Sequence, residues 1–247
     1  MSGACAAGAL MAGSLTAGAA TSIGVNFAGG GGGDGNQIDD ARLLQPSQIA
    51  GVGVVSAANW NNAENASGTL NALVGSDVGI TVATVSWVSN GLWTARNTPL
   101  NSTPNQILTN GFLDDTTTTG TTMITFANLP FIGAYDVYLY YGSDGNDRTG
   151  TATLGSTTIF FATNTNPFDD DFTAATPGDD GAADNGEYAL FSGVTGTGFT
   201  IDVASLVATS NVGVHGVQIV GIIPEPTSVG LLSLGLLGLL ARRRRSA

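Results

Sequence analysis

Apolar residues fall at every second position in run after run through the middle of the chain: Ile23, Val25, Phe27; Ile80, Val82; Val85, Trp87; Tyr135, Val137, Leu139, Tyr141; and Phe199, Ile201, Val203. Successive side chains of an extended strand point to opposite faces, so a period of two describes strands with one buried face and fits no helix. Shorter candidates lie at 52–55, 123–126, 149–154, 157–161, 188–191 and 212–220, separated by Gly, Asn, Thr and Ser. Ten or eleven short strands joined by turns predict an all-β chain, a β-sandwich wound in a jelly-roll-like way. No self-similar period of about 20 to 50 residues disturbs that reading. No linker rich in Pro or Ser marks the break near Asn110, so residues 21–222 are read as one ectodomain.

The last of these runs carries a local contradiction. Val212 and Val214 share one face of a strand, whereas Val217 and Ile219 have the opposite parity, and Gly216 stands at the switch. One extra residue inserted there, a β-bulge, shifts the register and returns all four to the same face.

Charge narrows the functions open to such a body. The formal net charge is −12, and Arg242, Arg243, Arg244 and Arg245 hold four of the seven basic residues. With those four and Glu225 set aside, three basic and eighteen acidic side chains remain. That balance repels a phosphate backbone, so nucleic acid is not an expected partner. Cys5 is the single cysteine and His215 the single histidine. A His/Cys zinc cage cannot be assembled from them, and a Ser/His/Asp triad has one available base, for which a structural place on the final strand is the simpler reading.

Both ends read as targeting segments. Residues 1–20 are almost all small or apolar and contain Ala17, Gly18, Ala19 ahead of the first strand, the pattern of a secretory signal peptide, though without a basic n-region. Cys5 as a lipid-anchored cysteine has too little chain before it to serve as a leader. At the other end, Pro224, Glu225 and Pro226 are followed by an apolar run from Val229 to Ala241 and then by the four arginines. Those 13 apolar residues span about 20 Å as a helix against a hydrocarbon core of about 30 Å, a short transmembrane anchor. The positive-inside rule keeps Arg242–Arg245 cytoplasmic and places the acidic body outside.

This Pro-Glu-Pro motif, Leu/Gly-rich helix and Arg cluster, over residues 223–247, resembles the PEP-CTERM sorting signal of exported bacterial proteins. The resemblance implies recognition by an exosortase, a membrane-embedded transpeptidase-like protease, with Pro224, Glu225, Pro226 and Arg242–Arg245 as the sorting and processing residues. It also implies membrane attachment through 229–241 before processing and delivery to the cell surface or extracellular matrix afterwards. The resemblance says nothing of an activity in the body.

Within the body, three groupings bear on chemistry. Asp144, Asn146 and Asp147, in the turn after the 135–141 strand, present hard oxygens on a glycine-permitted bend, which suits Ca2+ or equally a solvated hairpin; the EF-hand spacing is missing. Asp169, Asp170, Asp171, Asp179, Asp180, Asp184 and Glu187 share a long loop, where dense carboxylates call for a cation or a hydrated, mobile chain. Trp60, Asn61, Tyr138 and Tyr140 supply flat apolar faces and an amide for stacking a pyranose ring, whereas Trp87 is read as core. Gly29–Gly35 lacks phosphate-loop grammar, and the Thr-rich stretch 116–122 is a polar hairpin loop rather than a repeated ladder.

The expected function is that of an exported surface or matrix protein without catalytic activity. A carbohydrate-binding module for extracellular polysaccharide, with calcium as a candidate cofactor, is the first alternative. A glycosidase-like enzyme using two carboxylates is the second; it needs one acid with a raised pKa, which exposed aspartates flanked by glycine do not provide.

Overall fold

A computed structural model of the chain describes residues 22–28, 43–77, 79–95, 103–115, 122–164, 168–175, 184–207 and 211–222. The proposed leader, the proposed transmembrane helix and the sorting segment lie outside these residues. Among the described residues no helix is long and apolar enough to cross a membrane.

Among the described residues fourteen strands form two seven-stranded sheets. The first sheet contains β1 (Ser22–Phe27), β2 (Asn61–Ala63), β5 (Gly91–Thr94), β6 (Gly111–Asp115), β8 (Ala134–Gly142), β12 (Tyr188–Thr195) and β14 (Val212–Gly221). The second runs β11 (Asp184–Gly186), β10 (Thr157–Thr163), β9 (Thr149–Leu154), β13 (Phe199–Ser205), β7 (Thr122–Ala127), β4 (Thr84–Val88) and β3 (Ser67–Asn71). A short helix, α1 (Pro104–Leu108), capped by the Thr103 hydroxyl, precedes β6. The all-β sandwich is therefore as expected, with more strands than the alternation revealed. Two segments were misassigned: 52–55 contains a 3-10 turn at Gly53–Val55, and 80–82 is a loop with one isolated bridge, Val74 to Ile80.

The second sheet shows why alternation was readable where it was. β4 and β7 alternate inward and outward, so Val85, Trp87, Ile124 and Phe126 enter the core and the residues between them face out. In the first sheet β1 and β6 are buried on both sides, with every residue of each buried. Its inner face joins the main core through Ile23, Val25, Leu113, Val137, Leu139 and Ile219. Its outer face is covered by the 43–60 segment and α1, which bring Leu44, Ala50, Trp60, Ile107 and Leu108 against Tyr140. A strand covered twice has no polar face to alternate with, which is why β6, reading Gly-Phe-Leu-Asp-Asp, left no period-two signal.

β14 binds the first sheet together, pairing with β8 along one edge and with β1 and β6 along the other. Its register against β8 slips between Val214, opposite Tyr141, and Gly216, opposite Tyr140, leaving His215 as the extra residue. This is the bulge that the parity conflict called for, and Val212, Val214, Val217 and Ile219 all enter one core. His215 turns to the covered outer face and is fully buried. Burial without a counter-charge pushes its pKa down to about 4, so the ring is neutral near pH 7, and Nδ1–H donates to the Gly111 carbonyl at 2.7 Å.

One close approach is testable. A Cβ placed on Gly213 would overlap the Phe112 ring, which lies over that glycine from β6. Gly213→Ala is expected to cost about 1–3 kcal/mol through overpacking, read as a lower Tm. At Gly91, where nothing lies within 4 Å of such a Cβ, the same change is expected to shift stability by less than about 0.5 kcal/mol.

Candidate functional site

Strand direction gives the sandwich two distinct ends. At the exit end β1 begins, β14 stops, and the loops 72–83, 128–133 and 196–198 gather. At the opposite end β6 and β8 finish and the 143–148 turn crosses to β9. The acidic groups with unusual environments are at this second end.

Asp114 stands on β6 between Gly213 of β14 and Gly91 of β5, so neither cross-strand neighbour has a side chain to shield it. It is only 3% exposed, and its Oδ1 is buried without a hydrogen-bond partner. Burial, then the nearby Asp144 carboxylate, push its pKa up to about 7; the Arg148 guanidinium pulls the other way, and Asp115 adds a smaller push upward. Asp144 is differently placed. Its Oδ1 meets Arg148 Nη1 at 2.7 Å, and its Oδ2 accepts from Trp93 Nε1 at 3.2 Å. Asp115 is 1% exposed and accepts from Asn90 Nδ2 at 3.1 Å. The group thus pairs a carboxyl that is half protonated near neutrality with one held by a guanidinium, on residues 30 positions apart.

Such a pair has the protonation pattern of an acid and its partner. A 3%-exposed carboxyl, however, has no open path to a bulky glycosidic oxygen. Sequence reasoning missed Asp114 because nothing local distinguishes it; the Asp-Asp ending of an otherwise apolar strand was the one available hint.

The residues expected to hold calcium do not converge. Asp144 is engaged by Arg148 and Trp93, while Asp147 is exposed, sits at φ 59° and accepts from Asn185 Nδ2 at 3.3 Å; Asn146 is exposed at the turn. Among the described residues no group of three or more His, Cys, Asp or Glu is placed to hold a metal ion. The long acidic loop divides into two environments. Asp169, Asp170 and Asp171 are exposed, whereas Glu187 is 3% exposed and accepts from Thr173 N at 2.6 Å and Asn164 Nδ2 at 3.2 Å. Burial raises the Glu187 pKa in spite of those bonds. Asp179 and Asp180 fall outside the described residues.

The proposed sugar platform is also dispersed. Trp60 is 5% exposed, meets Tyr140 edge-on at 5.8 Å, and donates from Nε1 to the carbonyls of Ala57 (2.9 Å) and Ala50 (3.3 Å). Tyr140 is fully buried; its hydroxyl donates to Gln218 Oε1 at 2.8 Å and accepts from Val52 N at 3.0 Å, and burial raises its pKa. Asn61 spends its amide as a backbone surrogate, donating to the Gly24 and Val74 carbonyls and accepting from Val74 N. Trp60 and Tyr140 fasten the cover to the sheet, and Asn61 ties β1 to the 72–83 loop. Of the two tyrosines Tyr138 is the half-open one, and it leans on Tyr188 at 5.9 Å. Trp87 is a core residue, as expected, but its edge borders a small groove of about 200 Å³ lined also by Asn62, Glu64, Asn65 and Thr69.

The C-terminal segment is where a likeness to known proteins is found. Residues 223–245 match the family described as the PEP-CTERM protein-sorting motif. The match supports export, anchoring in the membrane before processing, and processing by an exosortase, a membrane enzyme. No curated protein matches the chain.

Proposed function

We propose, for a chain that ends in a PEP-CTERM protein-sorting motif, that its jelly-roll-like sandwich is a non-catalytic cargo held at the cell surface or in the extracellular matrix. The observation that carries this reading is the order of the tail: Pro224, Glu225, Pro226, an apolar run from Val229 and four terminal-side arginines, joined directly to β14 at Gly221. The arginines resist translocation and hold the run in the bilayer, while the motif lies on the body's side of it. Among the described residues, the carboxyl with a strongly raised pKa, Asp114, is sealed inside the sheet, which favours the non-catalytic reading.

In the native host, Glu225→Ala and removal of Arg242–Arg245 are each expected to leave the body folded and to deplete it from the surface fraction. Mass spectrometry of the mature C-terminus should find wild type trimmed near the motif and Glu225→Ala retaining residues 229–241. Equal localisation and identical termini would refute the reading.

Carbohydrate binding is the second reading, favoured by the groove beside Trp87 rather than by Trp60. An indole edge, the Asn65 amide, a carboxylate and a threonine hydroxyl suit a sugar hydroxyl pattern, whereas the Asn62 amide is bonded to Asn26 and Leu44; about 200 Å³ lies below the ~300–1,000 Å³ common for small-molecule sites and accommodates a terminal sugar at most. Glycan-array binding by wild type that disappears in Asn65→Ala and persists in Tyr138→Ala would establish it.

A further inference from the structure

Large apolar side chains are exposed at the exit end in a pattern that follows the chain toward its anchor. Ile132 is 96% exposed, Ile80 78%, Val82 74% and Ile222 42%. Backbone contacts set them side by side. Ile222 N donates to Ala134 O at 3.2 Å, two residues beyond Ile132, which places the ends of β14 and β8 together. Ser22, the first residue of β1, pairs with Val220, and Ser76 N donates to Ser22 O at 2.8 Å, which brings in the loop that carries Ile80 and Val82. Ile132, Ile222 and the 80–82 segment therefore lie in sequence along the ends of three adjacent strands, which run about 4.8 Å apart.

Charge is segregated along the same axis. Among the described residues, Asp77 is the one charged side chain in the loops of the exit end, and Asp136, two residues into β8, accepts from Gly193 N at 2.9 Å. The opposite end carries Asp147, Asp170 and the Asp144–Arg148 ion pair, with Asp114 and Glu187 buried beneath them, and its exposed apolar side chains, Val88, Met123, Leu206 and Val207, are each no more than 50% exposed. The most exposed aliphatic side chains thus stand at the nearly uncharged end, and the carboxylates gather at the other.

We infer that the exit end docks on the outer leaflet of the membrane in which the tail is anchored, with Ile80, Val82, Ile132 and Ile222 in contact with lipid and the acidic end pointing away. The inference rests on membrane anchoring through residues 229–241. Six residues, 223–228, separate Ile222 from that run. Fully extended they reach about 20 Å, less than the length of a nine-residue strand, so the anchored body cannot stray from the surface. Within that tether the orientation is decided by what each end would meet. Exposed aliphatic side chains gain by entering the interface, whereas carboxylates are repelled by anionic headgroups and lose hydration there.

The test uses the full chain in a Cys5→Ser background, with an environment-sensitive thiol probe at Ile132→Cys or at Asn146→Cys, both exposed positions. The protein is reconstituted into phosphatidylcholine–phosphatidylethanolamine vesicles with and without doxyl-labelled lipid. The probe at 132 is expected to show blue-shifted emission and strong quenching by doxyl lipid, undiminished by high salt, and the probe at 146 neither. Protein that sediments with the vesicles while both probes respond alike overturns the docking and leaves the anchor intact. Protein that stays in the supernatant overturns the anchor, and the docking with it.

Discussion

Trp60→Ala is expected to destabilise the sandwich by about 3–5 kcal/mol, lowering Tm by roughly 10 °C, without a matching loss of any ligand. The indole is the largest apolar side chain between the 43–60 cover and the first sheet. It seats on Gly24, where a Cβ would come within 2.7 Å of ring atoms Cδ2 and Cε3, and meets Tyr140 edge-on. Truncation leaves a void between two layers whose backbones are fixed by other bonds, and it leaves the Ala50 and Ala57 carbonyls without their indole donor. The same change at Tyr138, half-buried and outside that seat, should cost well under half as much. Thermal melts of the two variants side by side decide the matter. A Trp60→Ala protein as stable as wild type would mean that the cover is not held by this residue.

The second large effect concerns pH. Asp114 has a folded pKa of about 7 against an ordinary 3.8, so the folded state holds its proton more tightly than the unfolded chain. The associated stability is complete below about pH 4 and is lost as pH rises to 7, about 4 kcal/mol at about 1.4 kcal/mol per pH unit. His215 has the opposite sign. Its folded pKa of about 4 lies below the ordinary 6.5, so its share is complete above pH 6.5 and is lost as pH falls toward 4. Across that shared window the two slopes oppose each other in the wild type. Glu187, raised by burial, acts in the direction of Asp114.

Asp114→Asn removes one side of this balance while keeping the shape of the side chain. Its stability is expected to match wild type near pH 4 and to exceed it by about 2–4 kcal/mol at pH 8, where wild type must bury a charge. Urea melts at pH 4, 6.5 and 8 give the difference directly. Parallel curves for variant and wild type across that range would place the carboxyl in a wetter, better-paired setting than the one described.

How far the sequence reaches depended on how many sides of a strand are covered. In β4, β7 and β13 one face meets solvent; period two identified β4 from Val85 and Trp87 and β13 from Phe199 and Ile201, and β7 was read as a short candidate at 123–126. The bulge at His215 was also readable, because four valine and isoleucine positions conflict in parity over eight residues. β2, β3, β5, β6 and β11 went unread. β6 has Phe112 toward the cover and Leu113 toward the core, and a strand wanted by two apolar layers looks like any short hydrophobic stretch. The same second layer hid the fate of Trp60 and Tyr140. Their types suit a sugar surface and a buried polar seam equally well, and only the fold of 43–60 back onto β1 and β14 chooses between the two.

By itself the sequence determined the strand-forming pattern, the acidic balance of the body and the order of motif, apolar run and arginines in the tail, since each is a property of residues close together along the chain. The tertiary structure alone decided that the Asp114 carboxyl is buried beside Asp144 and Arg148, that Trp60 and Tyr140 fasten a cover, and that carboxylates collect at one end while Ile80, Ile132 and Ile222 collect at the other. Desolvation, charge coupling and exposure depend on what lies within a few ångströms, and in a sandwich of antiparallel strands those neighbours come from segments tens to more than a hundred residues apart.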